Sequence, residues 1–302
     1  MRTKLLRIFC VFILAFSVFM GAIALAGCHK KGLPAVDYSI KNNFEVKTEE
    51  YVFNPSDDEE YQFGAVVYIP EGVNAQYGFL FFVGSFIPSE YYEYLGTALA
   101  KQGYVVAIPN VMANSAYTYY DENTKVASQK LFEKFNGVKF FVGGHSQGGG
   151  AAVRFAQEEE ERLLGAVLMS PLCYTIDMVN PDYDPYNDPV SEMYLRDENG
   201  NILQRRDTLE DSILPVLLLE AANDHVLSDE MKADARSRMP KTYTRVVLSP
   251  ASHMSFSTLD SDAVLKAFFN DGDGMNEQEK IAQRANAVTN VLDFLQSVVC
   301  AK

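Results

Sequence analysis

The segment Gly144-His145-Ser146-Gln147-Gly148 places a serine between two glycines at the end of the apolar run Phe140-Phe141-Val142-Gly143, and a helix-forming stretch follows at once. A serine on so sharp a strand-to-helix turn is driven into strained backbone, where flanking side chains would collide with the neighbouring strands and the helix. Gly144 and Gly148 remove those side chains. Gly149, Gly150, Ala151 and Ala152 then let the helix approach the sheet, with its positive end beneath the hydroxyl. That context makes Ser146 a candidate nucleophile.

A serine hydroxyl attacks poorly near neutral pH unless a base takes its proton, and histidine has the suitable pKa. The chain holds four histidines. His29 is remote in sequence, and His145 points away from the reactive atom of its neighbour. His225 and His253 remain, and His253 sits in Ser249-Pro250-Ala251-Ser252-His253, a loop after a late strand. His253 is therefore the candidate base. A carboxylate must orient it and stabilise the imidazolium. Asp224, in the loop after another strand, is the candidate, with Glu220 and Asp229 as the nearby alternatives. Attack on a carbonyl also needs fixed N–H donors for the oxyanion. One is expected from Gln147 and the other from Gly84-Ser85-Phe86, with Ser85 preferred and Phe86 the alternative.

The positioning elements follow from patterning. Glu49 to Phe53 and Phe63 to Ile69 read as strands of an opening antiparallel hairpin, after a polar stretch from Gly32 to Lys47. Alternation then begins: strand Tyr77 to Val83, helix Glu90 to Gln102, strand Tyr104 to Ile108, helix Glu122 to Phe135, strand Lys139 to Gly143, helix Gln147 to Glu161 and strand Leu163 to Met169. Such β-α-β repetition predicts a mostly parallel sheet with right-handed crossovers and helices on both faces. Residues 171–213, rich in Pro, Asp, Asn and Tyr with an Asn199-Gly200 turn, read as an insertion that is either a lid or a structural loop. Strand Pro215 to Glu220, helix Ser228 to Arg238 and strand Thr242 to Leu248 resume the sheet. A last helix spans Glu277 to Val298, with Asn276 and Glu279 spaced as a capping box and an apolar stripe Ile281, Ala285, Val288, Leu292, Leu295, Val299. Asp271-Gly272-Asp273-Gly274 lacks the remaining acids of a calcium loop and reads as a plain loop.

The chain order Ser146, Asp224, His253 and the Gly-His-Ser-Gln-Gly-Gly-Gly elbow resemble the α/β-hydrolase superfamily over residues about 46 to 298. Within it the chain resembles the dienelactone-hydrolase and cutinase-like branches: the elbow and the Ala-Ser-His loop are similar to those of cutinase-type polyester hydrolases, and the span from Phe82 through Tyr104 to Pro109 is similar to small family members with a strand, a Gly-containing loop and then Leu-Ala-Lys-Gln-Gly-Tyr. Two features depart: dienelactone hydrolases carry a cysteine nucleophile, and many lipases have His-Gly where this chain has Val83-Gly84. The resemblance implies an α/β-hydrolase fold and cleavage of carboxylic esters, small, lipid or polymeric, through an acyl-enzyme. A peptidase or thioesterase would use the same triad, and an inactive scaffold acting as a surface binding protein is the reading from another class. Neither a metal nor an organic cofactor is implied. Phe86, Tyr91 and Tyr92 are either an apolar acyl-binding wall or core.

The first 27 residues have Arg2, Lys4 and Arg7 before an apolar run from Ile8 to Ala26, the layout of a signal peptide. Leu25-Ala26-Gly27-Cys28 resembles a bacterial lipobox, which implies cleavage before Cys28 and its lipidation; a retained N-terminal helix is the alternative. The expected organisation is signal peptide 1–27, lipid-anchored tether 28–47 and catalytic domain 48–300, exported and held at the cell membrane or envelope. Formal charge is −14, and loss of three basic residues and no acid with residues 1–27 leaves −17. Nucleic acid is a poor partner for such a surface. Cys173 and Cys300 are either one disulfide or two thiols.

Overall fold

The computed structural model describes residues 42–54, 63–118, 120–173, 207–261 and 275–301. Most of the 171–213 insertion, the Asp271–Gly274 loop and the whole N-terminal stretch through residue 41 lie outside them.

Eight strands form one sheet: β1 (Val46–Val52), β2 (Gly64–Pro70), β3 (Tyr77–Phe82), β4 (Tyr104–Asn110), β5 (Lys139–His145), β6 (Leu163–Met169), β7 (Val216–Ala221) and β8 (Thr244–Leu248). Their spatial order is β1-β2-β4-β3-β5-β6-β7-β8. β1 pairs antiparallel with β2 and β2 with β4, so the expected hairpin forms the sheet's edge. The pairs from β4 through β8 are all parallel. Helices α1 (Glu93–Lys101), α2 (Lys125–Lys134), α3 (Gln147–Glu158) and α4 (Asp229–Ser237) are crossovers between successive strands, and α5 (Glu277–Cys300) closes the chain.

The parallel strands read as unbroken apolar runs because helices cover both faces. Successive phenylalanines of β3 point to opposite sides. Phe82 meets Phe155 of α3 edge-on at 5.7 Å, whereas Phe81 lies 5.0 Å from Tyr92 on the other face. On β5, Phe140 packs on Phe132 of α2 and Phe141 on Phe294 of α5. Each such fully buried ring contributes ~2–3 kcal/mol.

Boundaries move where propensity alone misjudged the turn. Ser89–Tyr92 is a 3-10 turn ahead of α1, and Tyr120–Thr124 is a π-turn leading into α2. α3 stops at Glu158, before a 3-10 turn at Glu160–Arg162. The stretch read as aperiodic through Lys47 ends sooner. Asn42 exchanges hydrogen bonds with the Gln102 side chain, Phe44 N–H donates to Lys101 O at 3.2 Å, and β1 starts at Val46. The expected capping box starts α5, with Glu279 N–H donating to Asn276 Oδ1 at 3.0 Å. The buried face of α5 is rotated from the expected stripe. Its centre runs through Arg284, Val288, Val291, Leu295 and Val298, while Ile281, Ala285 and Val299 lie at the half-buried rim. Cys173 is buried and Cys300 exposed, as two separate thiols.

Candidate active site

Ser146 caps β5 with φ 55° and ψ −124°, a conformation that costs a non-glycine residue about 1–3 kcal/mol. Backbone packing enforces it. A Cβ on Gly144 would lie 2.1 Å from Gly148 O, and one on Gly148 would lie 2.2 Å from Phe82 O and 2.3 Å from Val83 O. The two glycines thus let elbow, helix and β3 interlock. Gly149 and Gly150 serve a different contact from the expected one. Their missing Cβ atoms make room for Pro171 at 2.7 Å and Leu172 O at 2.5 Å, the chain leaving β6. Leu172 N–H donates back to Ser146 O at 2.8 Å, so that segment braces the elbow.

His253 begins a 3-10 turn after β8, and Ser252 and Ser255 cap that turn reciprocally. Its Nδ1 stands 2.8 Å from Asp224 Oδ2, with the side chains 3% and 1% exposed. The carboxylate is saturated. Oδ1 accepts from Val226 N–H at 3.1 Å and Leu227 N–H at 2.9 Å, and the Ser170 hydroxyl also bonds to it. Burial by itself would raise the pKa of Asp224. The opposing charge of His253 and these hydrogen bonds outweigh burial and hold it at about 2. The other two carboxylates are engaged elsewhere. Glu220 pairs with Arg245 at 2.5 Å and Arg236 at 3.6 Å, and Asp229 is exposed in the first turn of α4. His225 is exposed.

Ser146 is half-buried, and its hydroxyl has no hydrogen-bond partner among the described residues. The ring of its neighbour His145 lies 4.8 Å from the His253 ring.

In the loop after β3 the backbone amides of Ser85 and Phe86 differ in their partners. Gly84 N–H donates to Tyr92 Oη at 3.0 Å, Phe86 N–H to Asn114 O at 3.0 Å and Ile87 N–H to Gly84 O at 3.1 Å. Among the described residues Ser85 N–H alone in this run has no acceptor. Gln147 N–H, at the first position of α3, has none within its helix. The Ser85 hydroxyl bonds to the Gln147 side chain, so the two residues are directly linked. Phe86 adopts φ 63° to make this turn. Tyr92 is fully buried behind the loop, so of the three aromatics weighed as an acyl wall it belongs to the core, while Phe86 and Tyr91 are half-buried.

Sequence reasoning set His145 aside as pointing away from the serine, weighed Tyr92 only as acyl wall or core, and passed over Ser170. Ser170 ends β6 at φ 39°, where its hydroxyl accepts from Ala221 N–H at 3.3 Å and reaches Asp224. No local signal marks it.

The model of the alpha/beta hydrolase family matches residues 78–179, from β3 past the elbow and β6. No curated protein matches the chain. Among solved structures, Est1E from Butyrivibrio proteoclasticus is similar in fold, with a TM-score of 0.53 and 15% identity over 83% of this chain and 99% of that one. With its sheet order, its sharp turn at Ser146 after β5 and the family model across the chain's central third, the protein has the α/β-hydrolase fold.

Proposed function

We propose that the protein is a serine hydrolase that cleaves carboxylic esters through an acyl-enzyme. The observation that carries this reading is the buried Asp224–His253 pair at the sheet edge where Ser146 is held in elbow conformation. Ser146 Oγ attacks the acyl carbon while His253 Nε2 takes its proton. Asp224, accepting from Nδ1, holds the imidazole in the tautomer that leaves Nε2 free to act. The amides of Ser85 and Gln147 receive the oxyanion, a contribution worth several kcal/mol in a site that excludes water. Collapse expels the alcohol, which takes the proton from His253. Water then attacks the acyl-enzyme by the same route, releasing the acid and restoring the serine.

Fluorophosphonate labelling, with hydrolysis measured over p-nitrophenyl esters, triglycerides, aryl polyesters, thioesters and peptides, tests this directly. Wild type should label at Ser146 and turn over oxygen esters best, and Ser146→Ala should abolish labelling with stability within about 1 kcal/mol of wild type. Unlabelled folded protein would leave a binding scaffold as the surviving reading, and preference for peptides or thioesters would replace the ester assignment.

Export and anchoring through Cys28 complete the proposal, supported by the charged, apolar and Leu-Ala-Gly-Cys segments in series. Two acyl chains hold a protein at a bilayer durably. Cys28→Ser should lose labelled palmitate and detergent-phase partitioning; equal uptake in both forms refutes the anchor.

A further inference from the structure

His145 is fully buried, and its two ring nitrogens have different partners. Nε2 lies 3.0 Å from the carbonyl oxygen of His253, and Nδ1 lies 2.8 Å from Tyr92 Oη. A carbonyl can only accept, so Nε2 carries the proton and Nδ1 is left as an acceptor for the tyrosine O–H. The tyrosine oxygen in turn accepts from Gly84 N–H at 3.0 Å. The direction of every bond is therefore determined, from Gly84 through Tyr92 and His145 to the backbone of His253. Burial, with His253 close by, keeps the His145 pKa well below its ordinary value, and burial raises that of Tyr92. Both groups thus stay neutral, as the chain of bonds requires.

The chain ends at the two loops the reaction depends on. At one end, turning Gly84 N–H inward to Tyr92 leaves the next amide, Ser85 N–H, free for the oxyanion. Gly84 also permits the approach, since a Cβ there would stand 3.0 Å from His145 Nδ1 and 3.1 Å from Tyr92 Oη. At the other end, the bond to His253 O fixes the backbone that carries the base. We infer that His145 and Tyr92 are positioning residues that lock the oxyanion loop to the base loop across the elbow. This rests on the hydrolase reading and assigns a role to a histidine that does no proton transfer.

The variants are Tyr92→Phe, which deletes the shared hydroxyl, and the pair His145→Leu and His145→Gln. A glutamine amide retains both an N–H for His253 O and an oxygen for Tyr92. Phe81→Leu, a core change beside Tyr92 that touches no polar partner, serves as the control. Removing a single oxyanion donor costs about 10²–10³ in kcat. Misaiming one through the relay should therefore lower kcat by about tenfold to a hundredfold in Tyr92→Phe and His145→Leu, with KM within about threefold. Affinity for a trifluoromethyl ketone, whose adduct places an oxyanion in the hole, should fall by the same factor. His145→Gln should recover most of the kcat lost in His145→Leu, and Phe81→Leu should lower the melting temperature with kcat unchanged.

Wild-type kcat in folded Tyr92→Phe, ketone affinity that fails to follow kcat, or His145→Gln no better than His145→Leu would each overturn the relay. Should Tyr92→Phe not fold, the His145 pair decides alone. Wild-type protein without turnover or labelling instead overturns the hydrolase reading, so the two failures are distinguishable.

Discussion

The two halves of the proposed catalytic edge are built by different means. The elbow is secured by backbone packing: Gly148 O and C leave no space for a Cβ on Gly144, and Phe82 O and Val83 O leave none on Gly148. The opposite half, with the loop after β3, Asp224 and His253, is held by side-chain hydrogen bonds: Tyr92 to Gly84, Ser170 to Ala221, and the bond between Ser85 and Gln147. Both halves contain a non-glycine residue at positive φ, Ser146 at 55° and Phe86 at 63°. Strain is thus common to both, while the restraint differs. Packing against backbone tolerates almost no substitution but asks only for small residues. Hydrogen bonding tolerates changes of size but asks for particular polar atoms in three dimensions.

The largest effect expected from this contrast is at the acid. Asp224→Asn should reduce turnover by about 10⁴ near neutral pH, because the amide favours the wrong imidazole tautomer. Glu220→Gln, which loses only its arginine partners, should cost less than about tenfold. Steady-state kinetics on folded variants decide it, and the reverse pattern would move the acid to Glu220.

Gly148→Ala probes the packed half. Its Cβ meets Phe82 O and Val83 O, backbone atoms that cannot swing aside, so the helix must shift. The expected cost is about 3 kcal/mol in denaturant unfolding, with slower fluorophosphonate labelling. A variant as stable and reactive as wild type would show that the elbow has slack.

A pH experiment sharpens the other half. Asp224 is depressed to about 2 from 3.8, so its folded pKa lies below its unfolded one. Its stabilisation is therefore present above about pH 4 and lost as pH falls through about 2, amounting to about 2 kcal/mol. Asp224→Asn should melt below wild type at pH 6, and the gap should close by about pH 2. A constant gap would mean the carboxylate's charge contributes nothing.

The smallest effect is at Ser170. Ser170→Ala leaves Ala221 N–H and one Asp224 lone pair short of a partner, for about 1 kcal/mol of stability. Turnover should fall about tenfold. Loss comparable to Asp224→Asn would make Ser170 more than a support.

The sequence by itself determined whatever depends on neighbours along the chain. Apolar runs alternating with helical periods dictated a mostly parallel sheet, since each strand must be covered on both faces. The Gly-x-Ser-x-Gly string signalled the elbow because the Gly144–Gly148 contact closes within five residues, and the Asn276/Glu279 spacing dictated a cap because that cap closes within one turn. Tertiary structure decided whatever requires two distant atoms to meet. It paired His253 with Asp224 rather than Glu220, by bringing β7 and β8 together and giving Glu220 two arginines. It separated Ser85 from Phe86 by supplying Asn114 O as the acceptor for the Phe86 amide. And it turned His145, passed over as pointing away from the serine, into a bridge between Tyr92 and His253 O. Hydrogen bonds are short and directional, so their partners are settled by the folded geometry and leave no periodic trace in the chain.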